Sequence, residues 1–233
     1  MKTAIITGAS VGIGESTAAS FCEAGYGVYN LSRRACKVDG VTNIACDLSD
    51  PAAIAAATNT LREVVDNSDV VALVHNACQM RKDSTMGCNS DDLTAVLQTN
   101  VVAANSINQA LLPLMPRGSS VIYIGSTLAE KAVAGAYSYV ISKHAVVGMM
   151  RATCQDLMGR GIHTACICPG FTDTEMLRTH LGNDQAVLAD MASLNSFNRL
   201  IEPGEIAGMI VWAHENPVIN GSVLHAHLGQ KES

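Results

Sequence analysis

The amino-acid sequence predicts an α/β protein: one parallel, doubly wound sheet of about seven strands in a single domain over residues 1–233. Three observations predict it. Short β-branched runs alternate with longer, Ala-rich segments of helical period from one end of the chain to the other. Several of the strand-like runs are apolar throughout, the pattern of strands covered on both faces. No linker, repeat or low-complexity segment breaks the alternation, and a composition of 48% hydrophobic and 15% charged residues supplies ample core.

Thr3–Thr7 is the expected first strand. Its Ala4-Ile5-Ile6 follows a single Lys, as a very short secretion signal would, but Thr7-Gly8 interrupts it well short of a signal's apolar core. A helix is expected over 12–24, then strands over Val28–Leu31 and Thr42–Cys46. Asp50-Pro51 has the form of a helix start and predicts a helix over 51–66. Strand Val70–Val74 leads to Ser90-Asp91-Asp92, a second such start, and a helix over 90–112. Strand Ser120–Ile124, a helix over 137–158 and strand Ile162–Ile167 follow, with a further helix over Gly204–Trp212 and a last strand over Ser222–Ala226. The least regular stretch, 172–201, holds Gly182-Asn183-Asp184 and short Met/Leu-rich helical pieces. A substrate lid is expected there; the plainer reading is a surface excursion.

Charge and composition exclude several function classes. Lys plus Arg total 15 and Asp plus Glu 21, a net charge of −6 that repels nucleic acid and anionic membranes. No apolar run approaches the ~20 residues a membrane helix needs. The eight cysteines show no zinc-type pairing, and reduced thiols in a cytoplasmic protein are expected. Cys166 and Cys168, two apart in a β-like run, are expected to point to opposite faces and so not to chelate together.

After the first strand comes Thr7-Gly8-Ala9-Ser10-Val11-Gly12-Ile13-Gly14. Glycines at 8, 12 and 14 let backbone approach a phosphate closely, and the helix opening near Gly12 aims free N–H groups and its positive end at a pyrophosphate. A glycine triplet alone is a weak signal; a preceding strand and a following helix give it the right context. At the end of strand two, where an acidic residue would hold a ribose 2′-hydroxyl, the chain has Ser32-Arg33-Arg34, which suits a 2′-phosphate. The other reading is a pair of solvated arginines on a surface turn. Asp47 closes strand three at the same edge, placed to accept from an adenine amino group or to cap the next helix, although Asp50 is better placed for the cap.

Tyr139 and Lys143 stand at i and i+4 of a predicted helix and so share a face. A free tyrosine ionises near ~10, and an adjacent ammonium is expected to lower that value toward useful acid/base behaviour. Lys143 can also hold a ribose hydroxyl with its remaining donors. Ser126, 13 residues before Tyr139, lies past the carboxyl end of a strand, the edge where open α/β sheets bind ligands. Its hydroxyl would donate to a carbonyl oxygen while Tyr139 moves the proton; taken alone, a serine in Gly-Ser-Thr reads as a turn residue.

Together these residues resemble the short-chain dehydrogenase/reductase family over nearly the whole chain. Thr7 to Gly14 matches the family's TGxxxGxG loop and Tyr139-Val140-Ile141-Ser142-Lys143 its YxxxK motif, with Ser126 at the usual separation. The resemblance implies a Rossmann-like fold and a catalytic set of Asn100, Ser126, Tyr139 and Lys143, the asparagine holding a water that links the lysine to solvent. It further implies cofactor contacts from Gly8, Ser10, Gly12, Ile13, Gly14, Ser32, Arg33, Asp47, Leu48, Asn76, Ala77, Tyr139 and Lys143. Pro169-Gly170-Phe171-Thr172-Asp173-Thr174 resembles the family's PGxxxT segment, with Pro169, Gly170, Thr172 and Thr174 at the nicotinamide end.

One motif departs from the pattern. His75-Asn76-Ala77-Cys78 stands where the family has Asn-Asn-Ala-Gly, which puts the local backbone path at Cys78 in question. His225 and His227 share a strand face but show no third ligand, so no metal is expected. The implied activity is NADP(H)-dependent interconversion of a carbonyl and an alcohol on a small molecule, NAD(H) not being excluded, in a homodimer or homotetramer packed through 90–112 and 137–158. The alternative is a non-catalytic dinucleotide-binding sensor or scaffold.

Overall fold

The computed structural model of the chain describes residues 1–231. Seven strands form one sheet: β1 (Lys2–Thr7), β2 (Gly27–Ser32), β3 (Val41–Ala45), β4 (Val70–His75), β5 (Ser120–Ile124), β6 (His163–Pro169) and β7 (Ser222–Ala226). Every neighbouring pair is parallel and the order is β3-β2-β1-β4-β5-β6-β7. The chain runs outward from β1 on one side and restarts beside it with β4. The carboxyl ends of β1 and β4 therefore frame the crevice where such sheets take ligands.

Side chains alternate across the strands and feed two cores. Ile5, Leu31, Leu73 and Tyr123 pack beneath α2 (Pro51–Asp66), α4 (Ala103–Leu111) and α5 (Tyr137–Asp156). Ala4, Ile6, Val74 and Ile122 pack on the opposite face beneath α1 (Gly12–Glu23) and α8 (Pro203–Glu215). Both faces are thus covered, which accounts for the uniformly apolar runs of β1 and β4. Asp50 caps α2 by accepting from Ala52 N at 2.8 Å, with Pro51 as the first helical residue.

Two expectations need correction. The helix expected over 90–112 is divided into α3 (Ser90–Leu97), a π-helical turn at Gln98–Val102 and α4. The wide turn carries Asn100, whose side chain is tied to neighbouring segments rather than left on a helix surface; π-turns of this kind accompany functional positions. Cys166 and Cys168 do not point to opposite faces. Residues two apart in a strand share a face, and the two sulfurs lie 3.9 Å apart against Gly125.

The stretch expected as a lid contains α6 (Glu175–His180) and α7 (Gln185–Ser193) and returns to the sheet edge through a bridge between Thr172 and Ile201. Among the described residues, no helix is long and apolar enough to cross a membrane.

Candidate active site

The loop after β1 is shaped by what it lacks. Gly8 has φ +71°, a left-handed conformation that a side chain would strain. A Cβ on Gly14 would fall 2.2 Å from the Gly8 carbonyl and 2.5 Å from Asn76 Nδ2, so no other residue fits. Asn76 pins the turn by donating to the carbonyls of Thr7 and Gly8 at 3.0 and 3.1 Å. Thr7 Oγ1 accepts in return from the backbone N–H of Asn76 and Ala77. Ser10 is buried in the turn and Ile13 packs on the core. Helix α1 begins without a side-chain cap on Val11, which leaves its first N–H groups for an anion.

Ser32 closes β2, and Arg33 and Arg34 follow it in a bend. Ser32 Oγ donates to the Arg34 carbonyl, Arg33 is exposed, and Arg34 pairs with Glu175 on the first turn of α6. Asp47 accepts from both the N–H and the hydroxyl of Ser49, and these bonds hold its carboxyl below the usual range. Helix capping is thus left to Asp50. Leu48 is buried in the core, which leaves only its backbone for a ligand contact.

Tyr139 and Lys143 are both buried, with 9% and 2% of their surfaces exposed. Lys143 Nζ lies 5.4 Å from the Tyr139 ring centre and donates to the Ile124 carbonyl at 2.7 Å. The expected acidification of Tyr139 is only part of the balance. Burial pushes its phenol up and outweighs the Lys143 charge, which pulls it down, as does the adjacent Ser126 hydroxyl. For Lys143, burial favours the neutral amine, but the surrounding Cys78 and Tyr139 hold the ammonium above its ordinary range. Ser126 Oγ accepts from Leu128 N at 3.0 Å, which fixes its rotamer and leaves its proton free to donate.

Asn100 is buried and fully engaged: Oδ1 accepts from Gln79 N at 2.8 Å, while Nδ2 donates to Gln79 O at 3.0 Å and to Ser142 Oγ at 2.9 Å. It therefore ties the loop after β4 to the helix carrying Tyr139 and Lys143. A cavity of about 10 Å³, enough for a single water, is bordered by Thr99, Asn100 and His75.

The departure at Cys78 is accommodated. The non-glycine residues with left-handed backbone are Asn183, Asn198 and Leu228, so Cys78 takes an ordinary conformation and its sulfur lies 4.0 Å from Met176 Sδ on α6. His75 is structural. Its Nε2 donates to Asn108 Oδ1 at 2.8 Å, and burial lowers its pKa to about 4, which keeps the ring neutral.

Beyond Pro169, Thr172 is buried with its hydroxyl donating to Gly170 O at 3.1 Å. Thr174 caps α6 and stands over Gly12. Sequence reasoning missed two supports. Asp83 accepts from the N–H and the hydroxyl of Ser138, holding the start of α5 across 55 residues of sequence, and no local pattern announces it. Asn30, fully buried in β2 between Tyr29 and Leu31, accepts from Ala9 N at 2.9 Å; a lone amide among strand-forming residues was its visible signal.

This architecture has known relatives. The family model described as enoyl-(acyl carrier protein) reductase matches residues 8–230. Oxidoreductase UcpA of Escherichia coli K12 is 28% identical over 95% of this chain and 91% of its own length. 3-Oxoacyl-(acyl-carrier-protein) reductase FabG of Vibrio cholerae is 27% identical over 98% and 96%. A short-chain dehydrogenase of Burkholderia cenocepacia, solved in complex with NADP, superposes with a TM-score of 0.85 at 26% identity, covering 98% of this chain and 97% of that one. With a family match running from the glycine loop to the last described turn, and a parallel seven-stranded sheet in the same order of elements, the chain belongs to the short-chain dehydrogenase/reductase family of NAD(P)-dependent oxidoreductases.

Proposed function

We propose that the protein interconverts a carbonyl and an alcohol on a small molecule with NADP(H), and that Tyr139 is its acid/base. The observation that carries this reading is the burial of a phenol and an ammonium side by side, with Ser126 next to the phenol.

The glycine loop fits a dinucleotide. Gly8, Gly12 and Gly14 offer backbone with no Cβ in the way, and Ser10 and Ile13 flank the uncapped start of α1. Ser32, Arg33 and Arg34 would meet a 2′-phosphate, Asp47 and Leu48 the adenine, Asn76 and Ala77 a ribose, and Pro169, Gly170, Thr172 and Thr174 the nicotinamide end. When bound, the nicotinamide supplies or accepts the hydride. Ser126 donates a hydrogen bond to the substrate oxygen and orients it. Tyr139 gives its proton to that oxygen in reduction and takes it back in oxidation. Lys143 stabilises the phenolate that forms and holds a ribose hydroxyl. Asn100 keeps Lys143 and its helix in register and borders a water-sized space through which a proton can be resupplied.

The segment 172–201 serves as the substrate lid within one domain, and copies assemble as a dimer or tetramer through the 90–112 and 137–158 helices. A reducing, cytoplasmic setting agrees with eight free cysteines. The test is NADPH consumption across ketones and aldehydes. Tyr139→Phe protein is expected to bind NADP(H) normally and to lose turnover; retained turnover defeats the assignment.

A further inference from the structure

A second cavity, of about 200 Å³, lies between the segment after β5 and the end of the chain beyond β7, lined by Thr127, Glu130, Lys131, His225, His227 and Gln230. It begins at the residue after Ser126. Its far wall packs on the Pro169-Gly170 turn, where a Cβ on Gly170 would fall 2.8 Å from His227 Cβ and 2.9 Å from Gln230 Oε1. The cavity therefore adjoins the candidate site, and every side chain lining it is polar.

The donors and acceptors are mixed. His225 Nε2 stands 3.1 Å from Glu130 Oε2, and the other Glu130 oxygen is free to accept. His227 Nδ1 accepts from Gln230 N at 3.0 Å, so its Nε2 carries the proton and is a free donor. Lys131 adds a cation with no ion pair among the described residues, and Gln230 an amide whose Oε1 has no hydrogen-bond partner. A carboxylate or phosphate drawn to Lys131 meets Glu130; a cation drawn to Glu130 meets Lys131. A hydrocarbon would strip water from all of these groups without replacing it. Hydroxyls, which both donate and accept, satisfy the whole set. At about 200 Å³ the space has room for a segment of several heavy atoms.

We infer that this cavity binds the hydroxyl groups of a neutral, polyhydroxylated carbonyl substrate; the inference rests on the carbonyl-reductase reading above for its reaction and on the cavity alone for its binding. Turnover is compared for three four-carbon ketones: erythrulose, butan-2-one and 2-oxobutanoate. The kcat/KM for erythrulose is expected to exceed both others by about tenfold or more, because a site built for hydroxyls is left with unpaired groups by their absence. In Lys131→Met and Gln230→Leu proteins that ratio falls toward one. Binding is read separately from the imidazole NMR signals of His225 and His227 during titration with erythritol and with succinate. Erythritol is expected to move them and succinate to leave them unchanged.

Signals that ignore erythritol, or follow succinate equally, overturn the cavity assignment whatever the kinetics. Signals that move with erythritol while none of the ketones is turned over uphold the cavity and sink the reductase reading. Turnover without a preference for erythrulose and without ring shifts does the reverse.

Discussion

Arg34 and Glu175, 141 residues apart, form an ion pair across the mouth of the cofactor crevice: Arg34 Nη1 donates to both carboxylate oxygens at 3.1 and 3.3 Å. One partner lies two residues beyond the end of β2, where a 2′-phosphate would be held, and the other opens α6 next to Thr174. A bound phosphate and Glu175 would compete for the same guanidinium.

Two opposite effects on cofactor affinity follow. Arg33→Ala and Arg34→Ala should each weaken NADP(H) binding by about 10- to 100-fold, the loss of one charged hydrogen bond worth roughly 1.5–3 kcal/mol, while leaving NAD(H) almost unchanged. Glu175→Gln should tighten NADP(H) by no more than about fivefold, since both partners are over half exposed and such pairs contribute about 0–1 kcal/mol. Fluorescence titration with both nucleotides measures these changes. Equal losses for NAD(H) and NADP(H) in the arginine variants would show that no 2′-phosphate is read there.

Lys143→Met retains most of the side chain and removes the charge. Because the ammonium lowers the Tyr139 pKa against the effect of burial, its loss should move ionisation of the phenol to higher pH. The rate of alcohol oxidation at saturating cofactor, which needs the phenolate, should then rise at a higher pH than in wild type. A profile of kcat against pH that keeps its midpoint would remove Lys143 from that role.

Much of this site was legible in the sequence because its parts are local. The glycine loop, the Tyr139–Lys143 spacing and the Asp50-Pro51 start each depend on neighbours within a few residues, and a parallel sheet covered on both faces followed from uniformly apolar runs. What was not legible is held by long-range bonds. The division of the 90–112 helix follows from Asn100 reaching Gln79 and Ser142, and the net acidity of Tyr139 from burial that only the assembled fold supplies. The cysteine pair of β6 is different, because strand periodicity already placed Cys166 and Cys168 on one face.

Asp83 illustrates the long-range class. Its carboxylate receives the N–H and hydroxyl of Ser138 at the start of α5, while Ala136, the residue before that helix, offers no side-chain cap. Asp83→Ala should cost about 1 kcal/mol in stability, as loss of a helix cap does. It should also lower kcat by more than it raises KM, because Tyr139 lies one residue beyond Ser138. Urea unfolding and steady-state kinetics on the same preparation separate the two effects, and unchanged kcat with lowered stability would leave Asp83 a purely structural role.

Two buried imidazoles set the acid limit of the fold. His75 and His214 are each lowered from 6.5 to about 4, His75 by burial and His214 by burial together with the charges of His163 and Lys2. His214 is bonded on both nitrogens, to Tyr26 at 2.9 Å and Ser120 at 2.7 Å. Above pH 6.5 the rings are neutral in both folded and unfolded chains and cost nothing. As pH falls from 6.5 toward 4 the unfolded chain takes up protons that the native one refuses, so stability declines across that window by roughly 3 kcal/mol per ring. His75→Asn keeps a hydrogen-bonding group near Asn108 and removes one titrating ring, so its decline should be shallower by about 1.4 kcal/mol per pH unit. Urea midpoints of wild type and variant through this range test it: a wild-type midpoint that stays level down to pH 4.5 would mean that these rings admit a proton without cost to the fold.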